Sequence, residues 1–263
     1  MSVTERRAIA IAKADALISE LHIQEPDEID IERIAIFKGA DVRYAPLDGM
    51  DGCLVSSGDS AIITVRNSIT YEGQKRFVVG HELGHFFLHP HTRQVETVDK
   101  EQIANWSEKQ QREEYEANIF SAELLMPKGM LQARTIGQEP SFEMIKGLAD
   151  EFRTTLTATA AQFVLTTSEE CALISSANRR RLWFILSPGF SFWLHDDERI
   201  HGHSCAAEVN EAKRTSRSSE IEADFWLKEF EGDHKSYITE DAVYFPTLRR
   251  ALSLLWIHEA IGR

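Results

Sequence analysis

The sequence predicts an α+β fold in three parts: a mixed helix–strand core over residues 1–130, a helical, helix-turn-helix-like element over 131–168, and a smaller α+β domain over 169–263. Three observations lead to this reading. Helical periodicity and short β-branched runs alternate through the first 65 residues. Two long helical segments with apolar faces follow, the first around residues 71–89 and the second around 107–126. After residue 168 the pattern changes to short aromatic and aliphatic runs between Pro-Gly and polar stretches.

Residues 4–21, rich in alanine and isoleucine, read as an amphipathic helix. Ile29–Phe37 reads as a second helix, with Pro26 just before it and Gly39 just after it as start and stop signals. Asp41–Tyr44 and Gly52–Val55 look like strands, and Ala61–Val65 is a clearer one because β-branched residues fill it between turn signals. Phe77, Val78, Val79, Phe86, Phe87 and Leu88 then run on without a proline. This is the pattern of a buried helix of about five turns, starting near Thr70 or Tyr71. Residues 93–106 are polar and weakly periodic, and read as a surface loop. Ser107 with Gln110 three residues on is a capping-box pattern, and Pro127 supplies the stop for the helix between them. On that helix Ala117, Phe120, Ser121, Leu124 and Leu125 form one small, apolar face.

Residues 141–165 are helical again, with Leu148–Val164 in helix-turn-helix spacing. The second helix is not basic, so the element is read as packing or protein-binding rather than DNA-reading. Leu182–Leu186 and Phe192–Leu194 read as strands around Pro188-Gly189, and 206–222 as a polar loop. Phe225–Leu227 and Ala242–Phe245 suggest further strands, and Leu248–Ile257 a final strand or helix. This last part has room to bind a ligand, sense a signal or hold a partner, and the sequence does not choose among them.

The most informative residues are His81-Glu82-Leu83-Gly84-His85, of the form H-E-x-x-H, inside the first buried helix. Helix positions i and i+4 stand one above the other, about 6 Å apart along the axis, so both imidazoles reach one metal ion from one face. Glu82, about 100° around the helix, stands beside that ion, where it can take a proton from metal-bound water. So short a pattern also recurs by chance. Ionisable groups on a buried helix are costly unless something pairs with them, however, and a metal ion removes that cost. Catalytic zinc takes three protein ligands and keeps a fourth position for water, so a third ligand is required. On the 107–126 helix Glu114 and Asn118 flank the apolar face, Glu113 lies near it and Glu116 points further away. Periodicity alone does not separate Glu113 from Glu114.

Taken together, the segments Arg76–His89 and Glu114–Pro127 resemble the ImmA/IrrE family of metallo-endopeptidases. Its members carry a strand, then a helix of pattern R-F-x-x-x-H-E-x-G-H-x-x-L-H, and later a helix of pattern E-x-x-A-N-x-F-A-x-x-L-L-M-P. This chain departs from the second only at Ser121, where alanine is usual, and the likeness extends over residues 5–165. It implies a zincin-like metallopeptidase core and a helical element after it. It implies His81, His85 and Glu114 as metal ligands, with Glu113 and Glu116 the next choices for the third. The substrates it implies are regulatory proteins, often helix-turn-helix repressors cleaved in response to stress or mobile-element signals.

The expected mechanism is zinc-dependent endopeptidase chemistry, with manganese as the alternative metal. Zinc lowers the pKa of bound water from about 15.7 toward about 7 and polarises the scissile carbonyl. Glu82 acts as general base and passes the proton to the leaving amine. Tyr71, Tyr115 and His89 are candidates to steady the oxyanion, and Asn118 to orient Glu114 or His81. His89, four residues past His85 on the same face, is also a candidate to support the metal ligands from behind. His89 is equally well read as a helix-end histidine favoured by the macrodipole. The Ala61–Val65 strand is expected to line the cleft and pair with an extended substrate.

Composition narrows the alternatives. The net charge of −13 disfavours broad DNA binding, and Arg179-Arg180-Arg181, the sharpest basic cluster, reads better as a solvated turn. Cys53, Cys171 and Cys205 are odd in number and far apart, which excludes a disulfide framework and a cysteine-zinc site. His201-Gly202-His203 lacks nearby metal partners and reads as an exposed loop. No apolar run has signal-peptide or membrane-span length, so a cytoplasmic, membrane-free protein is expected. The alternative function is a non-catalytic, metal-containing module that binds a repressor or toxin partner.

Overall fold

The computed structural model describes residues 3–89, 96–98, 112–212, 215–230 and 236–258. The chain divides into two compact units, Met1–Ile136 with Gly147–Gln162, and Gly137–Lys146 with Phe163–Arg263. Residues 131–168 are divided between the two.

The first unit opens with α1 (Val3–Glu20), which buries Ala10, Ala14 and Leu17. A single turn at Pro26–Glu28 precedes α2 (Ile31–Phe37), whose start is set by Asp30: its carboxylate accepts from the Arg33 amide at 3.1 Å. Strands β1 (Ala40–Ala45), β2 (Gly52–Ser57), β3 (Ser60–Arg66) and β4 (Glu96–Val98) form a sheet in the order β1-β3-β2-β4. The expected surface loop thus contains one short strand; its other residues, apart from the β4 backbone, lie outside those described. Strand β3 cannot pair with a substrate, contrary to the sequence expectation. It is interior, hydrogen-bonded to β1 in parallel along one edge and to β2 antiparallel along the other.

Helix α3 (Glu72–Leu88) packs on β2 and β3 and is buried from Arg76 to His85. It is tied to the sheet by the fully buried Asp51, which pairs with Arg66 and accepts from Gln74 Nε2 at 2.6 Å. Helix α4 (Arg112–Leu125) lies against α3, with Ala117, Phe120, Ser121, Leu124 and Leu125 all fully buried. The capping-box residues Ser107 and Gln110 lie outside the described residues. Pro127 does end α4, and it also leads straight into α5 (Lys128–Thr135), which periodicity did not signal.

Helices α6 (Phe142–Phe152) and α7 (Leu156–Thr166) match the expected helix-turn-helix spacing, with Arg153 at φ 53° in the turn. Helix α7 is buried from Ala158 to Thr166 and so has no exposed face along that stretch to lay in a groove.

In the second unit β5 (Cys171–Ala177), β6 (Arg180–Leu186), β7 (Ser216–Glu222), β8 (Tyr237–Phe245) and β9 (Arg250–Trp256) form an antiparallel sheet in the order β6-β5-β9-β8-β7. The expected polar loop 206–222 is instead α8 (Cys205–Ala212) followed by β7. Polar composition misled there because both elements are short, and β7 is an edge strand whose pattern is mostly exposed. Phe192–Leu194 and Phe225–Leu227 are not strands: one bridge, Leu194 to Leu227, links them, and Ala223–Phe225 is a helical turn. The ambiguous 248–257 run is strand β9. Arg179-Arg180-Arg181 sits at the β5–β6 turn, where Asn178 and Arg179 have φ of 50° and 59°, as a tight hairpin requires. The His201 ring stacks on Phe225 at 3.9 Å between centroids. No helix among the described residues is long and apolar enough to cross a membrane.

Fully buried Glu240 on β8 anchors α8. Its carboxylate accepts from the first two amides of that helix, Cys205 and Ala206, at 2.8 and 2.9 Å, and from Trp226 Nε1 and Ser253 Oγ at 3.2 and 2.9 Å. Glu240→Gln turns an NH2 group toward these donors and is expected to cost about 2–4 kcal/mol of stability. Urea denaturation followed by tryptophan fluorescence measures it, since Trp183, Trp193, Trp226 and Trp256 lie in this unit. A midpoint equal to wild type would show that the four bonds carry no net stability.

Candidate metal centre

Two glycines set the distance between the helices that build the site. A Cβ on Gly84 would lie 2.9 Å from Ala117 Cα, and one on Gly80 2.5 Å from Ser121 Oγ, so α3 and α4 approach closer than side chains permit. Ser121, the one departure from the family pattern, donates to the Phe77 carbonyl across this contact at 3.0 Å. Gly84→Ala meets helix backbone rather than a side chain, which cannot rotate aside. It should push α4 outward, cost about 1–3 kcal/mol, and weaken metal binding in a chelator competition. Wild-type affinity would mean that the site tolerates the displacement.

Across this contact the motif histidines meet α4. His81 Nε2 and His85 Nε2 are 3.0 Å apart, and the Glu114 carboxylate lies 3.3 Å from the first and 3.4 Å from the second. Among the described residues, His81, His85 and Glu114 are the group able to hold a metal ion, with donor atoms all within 4.8 Å of one another. All three are buried; Glu114 is 5% exposed, whereas the competing Glu113 is half-buried.

The electrostatics suit a cation. Burial pushes the Glu114 carboxyl up, but hydrogen bonds and charge interaction with His81 and His85 outweigh it and hold it well below the usual carboxylate range. Burial lowers the pKa of His81, against the raising influence of Glu114, and so favours the neutral imidazole that ligates metals. Asn118 Oδ1 accepts from His81 Nδ1 at 2.8 Å, which leaves the Nε2 lone pair facing the cluster. Two imidazole nitrogens and one carboxylate are a known catalytic zinc donor set. The residues fit the ion.

Glu82 is fully buried beside this cluster, in space left by Gly52 of β2: a Cβ there would lie 2.5 Å from Glu82 Oε1. The other candidates separate. Tyr115 is buried next to Glu114 in sequence on α4. Tyr71 is not at the cluster. It caps the far end of α3, donating to the Thr154 carbonyl at 3.0 Å, about 15 Å of helix away from His81. His89 stands behind His85, with Nδ1 to Nδ1 at 3.1 Å. Glu116, read from sequence as pointing away, reaches His89 Nε2 at 3.1 Å. Only its i+2 position from Glu114 was visible in sequence, and that carries no such signal. The cysteines are buried and free, and burial pushes all three thiols up, that of Cys205 to about 12.

Residues 38–163, which hold every one of these site side chains, match the IrrE N-terminal-like domain of peptidase family M78. That region of the chain is similar to the M78 peptidase domain. The ImmA/IrrE likeness read from the two motifs therefore holds, the core is zincin-like, and the family is one of metallopeptidases. A solved Mycobacterium tuberculosis transcriptional regulator is similar in fold, with a TM-score of 0.60 over 94% of this chain and 86% of that one, at 11% identity. No curated protein matches the chain. Within the matched region the paired histidines come from α3 and the facing carboxylate from α4, with β2 against Glu82.

Proposed function

We propose that this chain is a zinc-dependent endopeptidase that cuts a peptide bond in a regulatory protein such as a helix-turn-helix repressor. One observation carries the reading: His81 Nε2, His85 Nε2 and the Glu114 carboxylate converge in a buried cluster with Glu82 alongside. The donor set suits zinc first and manganese second. A bound ion supplies Lewis acidity, lowering the pKa of the attacking water and polarising the scissile carbonyl. His81, His85 and Glu114 hold it, and Asn118 keeps the His81 ring turned toward it. Glu82 accepts the proton of the attacking water and delivers it to the amine nitrogen as the peptide bond breaks. A carboxylate in that place favours the enzyme over a non-catalytic binding module, because a structural metal site has no use for it. A repressor substrate suits the net charge of −13, which opposes direct binding to DNA.

The test is metal content of the purified protein, together with cleavage of repressor-like proteins encoded beside it. One metal per chain, and cleavage that chelation abolishes and added zinc restores, is the expected result. One metal without cleavage would favour the binding module, and no metal at all would overturn both readings.

A further inference from the structure

The geometry points to Arg6, Glu116 and His89 as positioning residues that set the tautomer of His85 from behind, so that its Nε2 faces the metal as a bare lone pair. This rests on the metal-site reading above and identifies what prepares one of its ligands.

The contacts form an unbroken line from the surface to the cluster. Arg6 Nη1 on α1 lies 3.2 Å from Glu116 Oε1 on α4. Glu116 Oε2 lies 3.1 Å from His89 Nε2 at the end of α3, and His89 Nδ1 lies 3.1 Å from His85 Nδ1. Burial rises inward, from 24% side-chain exposure at Arg6 through 12% at Glu116 and 8% at His89 to 2% at His85. Each bond constrains the next. The guanidinium only donates, so Glu116 meets it, and His89 on its other oxygen, as an acceptor. Glu116 then requires the His89 proton on Nε2, which leaves His89 Nδ1 as an acceptor. That acceptor requires the His85 proton on Nδ1, and His85 Nε2 is left bare at 3.0 Å from His81 Nε2 and 3.4 Å from Glu114. Asn118 does the same for His81 through a neutral amide. The two ligands are thus prepared by independent routes, and the His85 route ends in a charge pair. The backbone also holds His89 in place, its amide donating to the His85 carbonyl at 2.9 Å.

Such outer partners typically contribute about 10–100-fold in metal affinity. The test measures zinc affinity of the full chain by competition with a chromophoric chelator, in wild type, His89→Phe, His89→Gln and Glu116→Gln. In parallel, the proton on His85 Nδ1 is followed by long-range 1H–15N spectra of the zinc-loaded, 15N-histidine-labelled proteins. His89→Phe removes the acceptor and should weaken zinc binding about 10–100-fold. His89→Gln restores an acceptor oxygen and should recover part of that loss. Glu116→Gln, which touches neither the metal nor His85, should weaken zinc binding in the same direction and alter the His85 Nδ1 signal. It decides the matter if His89→Phe does not fold. Wild-type affinity and an unchanged Nδ1 signal in Glu116→Gln would overturn the proposal while leaving the metal site standing. Failure of the wild type to bind zinc would overturn the metal reading, and this proposal with it.

Discussion

Glu82→Gln is expected to lower peptide-bond hydrolysis about 10²–10⁴-fold, the range for removal of a general base, while zinc stays bound. The substitution keeps the shape of the side chain, which matters because Glu82 is fully buried, with its carboxylate close against Gly52. The amide can neither take a proton from water nor return it to the leaving nitrogen. His81, His85 and Glu114 are untouched, so metal stoichiometry should equal that of wild type. The measurement is kcat/KM on a cleaved partner alongside metal content of the same preparations. Activity within a few-fold of wild type would remove Glu82 from the mechanism. Loss of metal together with activity would instead assign it a structural part in the site.

Glu114→Ala should reduce zinc affinity by more than the roughly 100-fold that an outer partner contributes, because it removes one donor of three. It also removes the carboxylate that lies 3.3 and 3.4 Å from His81 Nε2 and His85 Nε2, two buried imidazole nitrogens 3.0 Å apart. Glu113→Ala is the matched control: Glu113 is half-buried and belongs to the same turn, so helix propensity changes equally. Chelator titration of both decides between them. Stoichiometric zinc in Glu114→Ala with loss in Glu113→Ala would move the third ligand by one position.

The elements around the site were largely legible. Val3–Glu20, Glu72–Leu88 and strands β1 to β3 fall close to their expected spans, because each carries its own period or its own β-branched run between breakers. The second unit was read less well. Strand β5 carries no local signal, α8 and β7 have the polar composition of a loop, and Phe225–Leu227 has the composition of a strand without being one. In that unit burial depends on long-range antiparallel pairing, so short segments carry little periodicity of their own.

The same distinction holds within the site. Sequence alone determined that His81 and His85 share a helix face and that Glu82 stands beside them, because spacing along one helix is set by its 3.6-residue hydrogen-bonded turn. Tertiary structure decided that Glu114 rather than Glu113 turns toward them. It decided that Glu116 turns back toward His89, that Tyr71 is occupied elsewhere, and that β3 has no free edge. Those outcomes depend on how far one helix rotates and how closely it approaches another. Here that is set by the contact of Gly80 and Gly84 with Ser121 and Ala117, residues more than thirty positions apart that no local period relates.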